Sequence, residues 1–192
     1  MQFINSEFTS TLEIKKSKFI AFIAPYNSFD SMMLRLKEQH PKARHFVYAY
    51  RYLNEFQQIV ENSSDDGEPK GTSGRPALSV LSGAELINTA VIIVRYFGGV
   101  RLGTGGLVKA YSDAVNLVLN TSELKQYVHL KYKQLEIQYA QLSQIEYIIG
   151  KYEIEIIDKQ FSQSISLKLA GSEEVFESFS KELFRDNILE DL

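Results

Sequence analysis

The sequence predicts a mixed strand-and-helix protein, one domain of ordinary size followed by a small second one. Three observations carry that expectation. Strand-like and helix-like stretches alternate over the first two-thirds of the chain. A continuously apolar, β-branched run at residues 89–94 marks a central strand covered on both faces. From Tyr127 onward the elements follow the order β-α-β-β-α, most of a split βαβ or ferredoxin-like unit. A chain of 192 residues with 44% hydrophobic content can bury cores for both parts.

Residues 10–14 and 19–23 read as strands flanking a basic turn, Lys15-Lys16-Ser17-Lys18. A helix follows, with Ser28 and Asp30 as caps, Met33, Leu34 and Leu36 as its apolar face, and Pro41 barring continuation beyond His40. Residues 45–52 and 56–60, joined by Leu53-Asn54-Glu55, form an aromatic-rich hairpin that places Phe46, Tyr48, Tyr50 and Tyr52 on one side. That face packs against a helix or stacks on bases; packing is the better account. Residues 75–82 form a short helix with Ser73 as its cap, Pro76 near the first turn and Gly83 at its end. After the central strand, Leu107, Ala110, Tyr111, Ala114, Val115, Val118 and Leu119 recur at helical spacing in one long amphipathic helix. The second domain reads as a strand at 132–139, a helix at 142–152, paired strands at 154–161 and 164–169, and a helix at 173–184. The boundary falls between Ser122 and His129, which assigns residues 1–125 to the first domain and 126–192 to the second.

Composition excludes several chemistries. There is no cysteine, so no disulfide, thiolate nucleophile or thiolate metal site, and the three histidines lack metal-ligand spacing. No run approaches the ~18 apolar residues of a membrane span and no signal-peptide pattern opens the chain, so a cytoplasmic protein without a membrane partner is expected. The net charge of −3 divides unevenly, with residues 1–125 at +2 and residues 126–192 at −5. Neither value is extreme enough to imply nucleic acid by itself, so any anion binding must come from local arrangement.

Function is best sought where glycine gathers. Nine of the eleven glycines fall between Gly67 and Gly106, eight of them in clusters at residues 64–76 and 98–106. Glycine loses more backbone entropy on folding than any other residue, so it concentrates where the chain must turn tightly or approach something closely. A helix starting near Gly105-Gly106 would offer unpaired amides and the positive end of its dipole to a phosphate or carboxylate, with Arg95, Arg101 and Lys109 adding charge. A tight strand-to-helix crossover accounts for the same glycines equally well. The spacing fits neither common nucleotide fingerprint: Thr104 stands where a phosphate-loop lysine belongs, and Gly103 and Gly105 have no glycine three residues further on.

The first cluster is acidic at its start. Asp65, Asp66 and Glu68 could hold Mg²⁺ or place a general base. A solvated loop, its aspartates capping turns or pairing with Lys70 and Arg75, is the favoured account.

Both clusters carry a resemblance. Asp65-Asp66-Gly67-Glu68-Pro69-Lys70-Gly71-Thr72-Ser73-Gly74-Arg75-Pro76, with the later stretch Val94-Arg95-Tyr96-Phe97-Gly98-Gly99-Val100-Arg101-Leu102-Gly103-Thr104-Gly105-Gly106-Leu107-Val108-Lys109-Ala110-Tyr111, resembles the signature of the YigZ/IMPACT family. The early basic turn and Ala43-Arg44-His45 are similar to that family as well. Val47 stands where many members carry a cysteine, which argues against a thiol-dependent activity. The resemblance implies a two-domain α+β protein. Its first domain would be like the second domain of a ribosomal small-subunit protein, and its ferredoxin-like second domain would be similar to the last domain of elongation factor G. It also implies a link to translation, with the ribosome, RNA or a translation factor as partner.

The expectation that follows is a non-enzymatic, translation-associated regulator or binding protein that recognises RNA phosphate or a phosphorylated ligand. The anion surface comprises Arg75, Arg95, Gly98, Gly99, Arg101, Gly103, Thr104, Gly105, Gly106 and Lys109. His45 and Tyr96 belong to the same motif set as residues 65–74. No cofactor is expected beyond Mg²⁺ at Asp65, Asp66 and Glu68, and no catalytic residue is assigned. A metal-dependent enzyme on a small phosphorylated substrate, using His45 or Asp66 as base, is a second reading; a protein-interaction module with an apolar patch near Tyr96-Phe97 is a third.

Overall fold

A computed structural model describes residues 1–183 and 187–192. The chain divides into two compact units, Met1–Tyr127 and Val128–Leu192. The expected boundary at 125/126 falls inside a short strand, β7 (Lys125–Gln126), which pairs with β1 (Gln2–Phe3) and so ties the end of the first unit to its beginning.

The first unit is built on a five-stranded antiparallel sheet. Its strands are β2 (Phe8–Ile14), β3 (Ser17–Pro25), β4 (His45–Leu53), β5 (Ile59–Ser64) and β6 (Thr89–Tyr96), in the order β2-β3-β6-β4-β5. The basic turn between β2 and β3 is a two-residue hairpin: Ile14 pairs with Ser17, and Lys15 and Lys16 both have positive φ, the combination whose twist matches that of the flanking strands. In the second hairpin β5 begins at Ile59 rather than 56. The five-residue loop between is organised by Asn54, whose side-chain oxygen accepts from the amides of Phe56 and Gln58.

Three helices cover the sheet. On one face, α2 (Gly74–Gly83) and α3 (Gly103–Asn120) bury Leu81, Ala110, Tyr111, Ala114 and Val118 against Phe19, Ala21, Val47, Ala49, Val91 and Ile93. On the other, α1 (Phe29–Gln39) sets Met32 and Leu36 against Phe22, Phe46, Ile92 and Val94. This two-sided burial is why β6 could read as continuously apolar. Leu34, expected on the inner face of α1, is 66% exposed; Met32 takes that role, one helical turn before Leu36. The aromatic face of β4 meets Phe29 and Tyr26: Phe29 packs edge-on against Tyr48 and Tyr50, and Tyr26 stacks on Tyr52 with centroids 4.1 Å apart.

The second unit contains β8 (Lys131–Ile137), α4 (Leu142–Lys151), β9 (Glu155–Phe161), β10 (Ile165–Gly171), α5 (Glu173–Ser180) and β11 (Leu189–Asp191). The sheet order β11-β8-β10-β9, all antiparallel, completes the ferredoxin-like pattern, because the last strand, which sequence periodicity missed, pairs with β8. Three residues leave too little alternation to register as a strand. Its core sets Ile145, Ile148 and Ile149 of α4 and Phe176 and Phe179 of α5 against Leu135, Ile137, Leu167 and Leu169. The α5 helix ends at Ser180; the expected extension to Phe184 reaches beyond the described residues.

Candidate functional site

The polar site is built on β6, the loop that follows it at residues 97–102, and the first turn of α3. The loop cannot wander. The Gly98 amide donates to the Ser17 hydroxyl at 3.1 Å, and a Cβ on Gly98 would lie 2.0 Å from the carbonyl carbon of Lys16, so only glycine lets the loop press against the β2–β3 turn. Gly103 opens α3 with φ +73°, a conformation that turns the chain from the loop into the helix. The helix thus begins two residues before the expected Gly105, and no side chain caps it. Its leading amides therefore keep their donors and the positive end of the helix dipole.

The acidic cluster holds its own loop together. One Asp65 oxygen accepts from the amides of Ser73 and Gly74 and from the Ser73 hydroxyl, and the other from the Gly71 amide at 2.7 Å. Burial works against the ionised form of Asp65. The Gly71 amide, the Ser73 hydroxyl and the Gly74 and Ser73 amides outweigh it, holding the carboxyl below its ordinary pKa. Ser73 was expected to cap α2, but its hydroxyl donates to Asp65 and the cap comes from that carboxylate. Asp66 accepts from the Phe46 amide at 2.6 Å through its side chain, and its carbonyl lies 2.8 Å from His45 Nδ1. A carbonyl only accepts, so Nδ1 carries the hydrogen and Nε2 faces Glu68 at 4.0 Å. Glu68 is buried, ion-paired with Arg95 and accepting from the Tyr111 hydroxyl at 2.9 Å. Burial first, and the Glu68 charge second, push the Tyr111 hydroxyl far above its ordinary pKa and keep it a donor. The three carboxylates expected as magnesium ligands thus point to three different sets of protein donors. Among the described residues no group of three or more His, Asp or Glu converges to hold a metal ion.

The two glycine clusters do meet. A cavity of about 370 Å³ is lined by Glu68 and Pro69 from the first, and by Arg95, Phe97, Arg101, Leu102, Gly103, Thr104 and Leu107 from the second and its flanks. Of the expected anion-binding set, Arg95, Arg101, Gly103 and Thr104 line it; Arg75, Gly98, Gly99, Gly105, Gly106 and Lys109 do not. Lys109 is exposed and pairs with Asp113 one turn along α3. Arg95, expected as a free cation, is 6% exposed and held by Glu68, between the rings of Phe19 and Phe97 at 5.3 and 5.7 Å. Its Nε is buried with no hydrogen-bond acceptor. A second cavity of about 280 Å³, lined by Lys42, Arg44, His45, Arg95, Tyr96 and Phe97, shares Arg95 and Phe97 with the first. Three further cationic or titratable groups from the β4 approach thereby come beside the same arginine. The sequence reading did not place Leu102 and Leu107 on a cavity, because helical spacing assigned Leu107 to the core alone, and it named Phe97 only as part of an apolar patch for a protein partner. It missed Lys42 because nothing local links that lysine to a loop beyond residue 95.

These features define a two-unit α+β protein whose glycine-shaped loops enclose a basic, partly apolar cavity. The family model for the Impact N-terminal domain matches residues 15–119, and that for a domain of unknown function, DUF1949, matches residues 135–184. An IMPACT family member of Haemophilus influenzae is 38% identical over 89% of this chain and 84% of its own length, and YigZ of Escherichia coli is 36% identical over 82% and 79%. A crystal structure described as that of a hypothetical protein matches with TM-score 0.65 and 32% identity over 100% of this chain and 96% of the other. A structure of Yih1, described as a two-domain translational regulator, matches at TM-score 0.37 and 24% identity over 62% and 46%. The chain belongs to the IMPACT family.

Proposed function

We propose that this chain is a translation-associated binding protein that recognises the phosphate of RNA or of a phosphorylated ligand at the mouth of α3. The observation that supports it best is a single cavity to which both glycine clusters contribute, beside a helix N-terminus without a side-chain cap and the exposed Arg101. Such a terminus presents amides and a positive dipole to an oxyanion, and a guanidinium fork adds paired, charge-assisted donors. The link to translation rests on the family resemblance. A metal-dependent reaction is less favoured, since Asp65, Asp66 and Glu68 already accept hydrogen bonds or an ion pair from protein groups. No helix among the described residues is long and apolar enough to cross a membrane.

Binding of a 5′-phosphorylated RNA oligomer, followed by fluorescence anisotropy over a salt series, tests this reading. Affinity is expected to fall steeply with salt and to drop about tenfold in Arg101→Ala. Lys109→Ala, which breaks only a pair within α3, is expected to stay within about twofold. Salt-independent binding, or full affinity in Arg101→Ala, would count against it.

A further inference from the structure

Resting on the phosphate reading above, we propose that the α3 cavity is a nucleotide subsite, seating a phosphate monoester at the helix N-terminus and a flat base against Phe97. A bare oxyanion fits the cavity poorly. Pro69, Phe97, Leu102 and Leu107 make much of its wall, and apolar surface facing an anion strips its hydration without replacing it. A volume of about 370 Å³ falls within the range of small-molecule sites and exceeds what an isolated phosphate group fills. The ligand that matches carries an anionic end and an apolar or aromatic body.

The polar end of the cavity is built. Gly103 and Thr104 open an 18-residue helix without a side-chain cap. Arg95 is 94% removed from solvent, lines the same cavity, and has a buried Nε that no protein acceptor satisfies. That Nε is closed to solvent and is not a donor a ligand in the cavity can reach, so what Arg95 gives the site is positive charge in its wall. Glu68 is the one carboxylate among the lining residues, and Arg95 balances it. Phe97 lines the same cavity, is 56% exposed, and has the Arg95 guanidinium 5.7 Å from its ring centroid, an aromatic on which a base can stack. The shared chemistry is a phosphorylated nucleotide unit, supplied either as a free mononucleotide or as an unstacked nucleotide of single-stranded RNA.

Calorimetric titration of the full chain with adenosine 5′-monophosphate, adenosine, inorganic phosphate, a 5′-phosphorylated RNA hexamer and the same hexamer as a blunt duplex decides the matter. The monophosphate is expected to bind at least about tenfold more tightly than either adenosine or phosphate. Phe97→Ala is expected to weaken the monophosphate about tenfold and leave phosphate unchanged, while Arg101→Ala weakens both. Phe97→Tyr, which keeps the ring, is expected to retain binding, and an unchanged melting temperature shows that Phe97→Ala still folds. A hexamer that outcompetes the monophosphate identifies single-stranded RNA as the source; the reverse identifies a free nucleotide. Equal affinity for monophosphate and phosphate with no effect of Phe97→Ala, or a preference for the duplex, overturns the base subsite and leaves the phosphate reading standing. Failure of every phosphate-bearing probe to bind overturns both.

Discussion

Asp65 caps a helix from eight residues away: its carboxylate gathers the first amides of α2 and folds residues 65–74 around itself. Asp65→Ala is expected to cost about 2 kcal/mol in urea denaturation, since it removes a cap and strands partly buried donors. Because its pKa is lower folded than unfolded, the stability it confers is complete above the unfolded value of about 3.9 and disappears as pH falls through the lower folded value. That segment of the acid-unfolding curve should be missing in Asp65→Asn. Arg95 and Glu68 obey a different rule. Both are buried, so Glu68→Gln leaves a buried guanidinium without its counter-charge and is expected to cost about 3 kcal/mol. The double variant Glu68→Leu/Arg95→Met should lose less than Glu68→Gln alone, as equilibrium unfolding would show; a larger loss would mean that the pair contributes net stability.

At the scale of elements, the loop at 97–102 and the β2–β3 turn act as one piece. Gly98→Ala would drive a methyl group into the Lys16 carbonyl, and is expected to cost about 3 kcal/mol and to weaken phosphate binding by displacing the start of α3. Calorimetric melting together with the anisotropy titration checks both effects. The strand-loop-helix order around this loop was legible because its signals are local: a β-branched apolar run, then glycines, then apolar residues at helical spacing. The three-residue β11 was not, since it exists only by pairing with β8. Leu34 misled for a related reason. Several faces of a short helix are apolar enough to bury, and the sheet it lands on chooses among them.

Across the whole molecule, each unit has its own core and its own sheet. Residues 128–192 alone are therefore expected to fold with cooperative thermal unfolding by circular dichroism, and residues 1–127 alone to keep the phosphate affinity of the full chain within about threefold. The charge difference agrees with the second expectation, because the cationic excess lies in the first unit and the second carries −5. Retention of binding only in the full chain would refute the assignment of the site to the first unit.

Chain chemistry alone determined the types of the main elements, the division into two units, the two places where glycine gathers, and the positions of the charges and hydroxyls along the chain. These depend on neighbours within a few residues, where periodicity and glycine stereochemistry act directly. Folding in three dimensions decided which charges remain free. Glu68 lies 27 residues before Arg95 and 43 before Tyr111, yet all three share one buried cluster, and no spacing along the chain encodes that pairing. It follows from the order of strands in the sheet and from α3 crossing it, which bring the two glycine clusters to one cavity and assign Arg95 to its wall while Arg101 stays open to solvent.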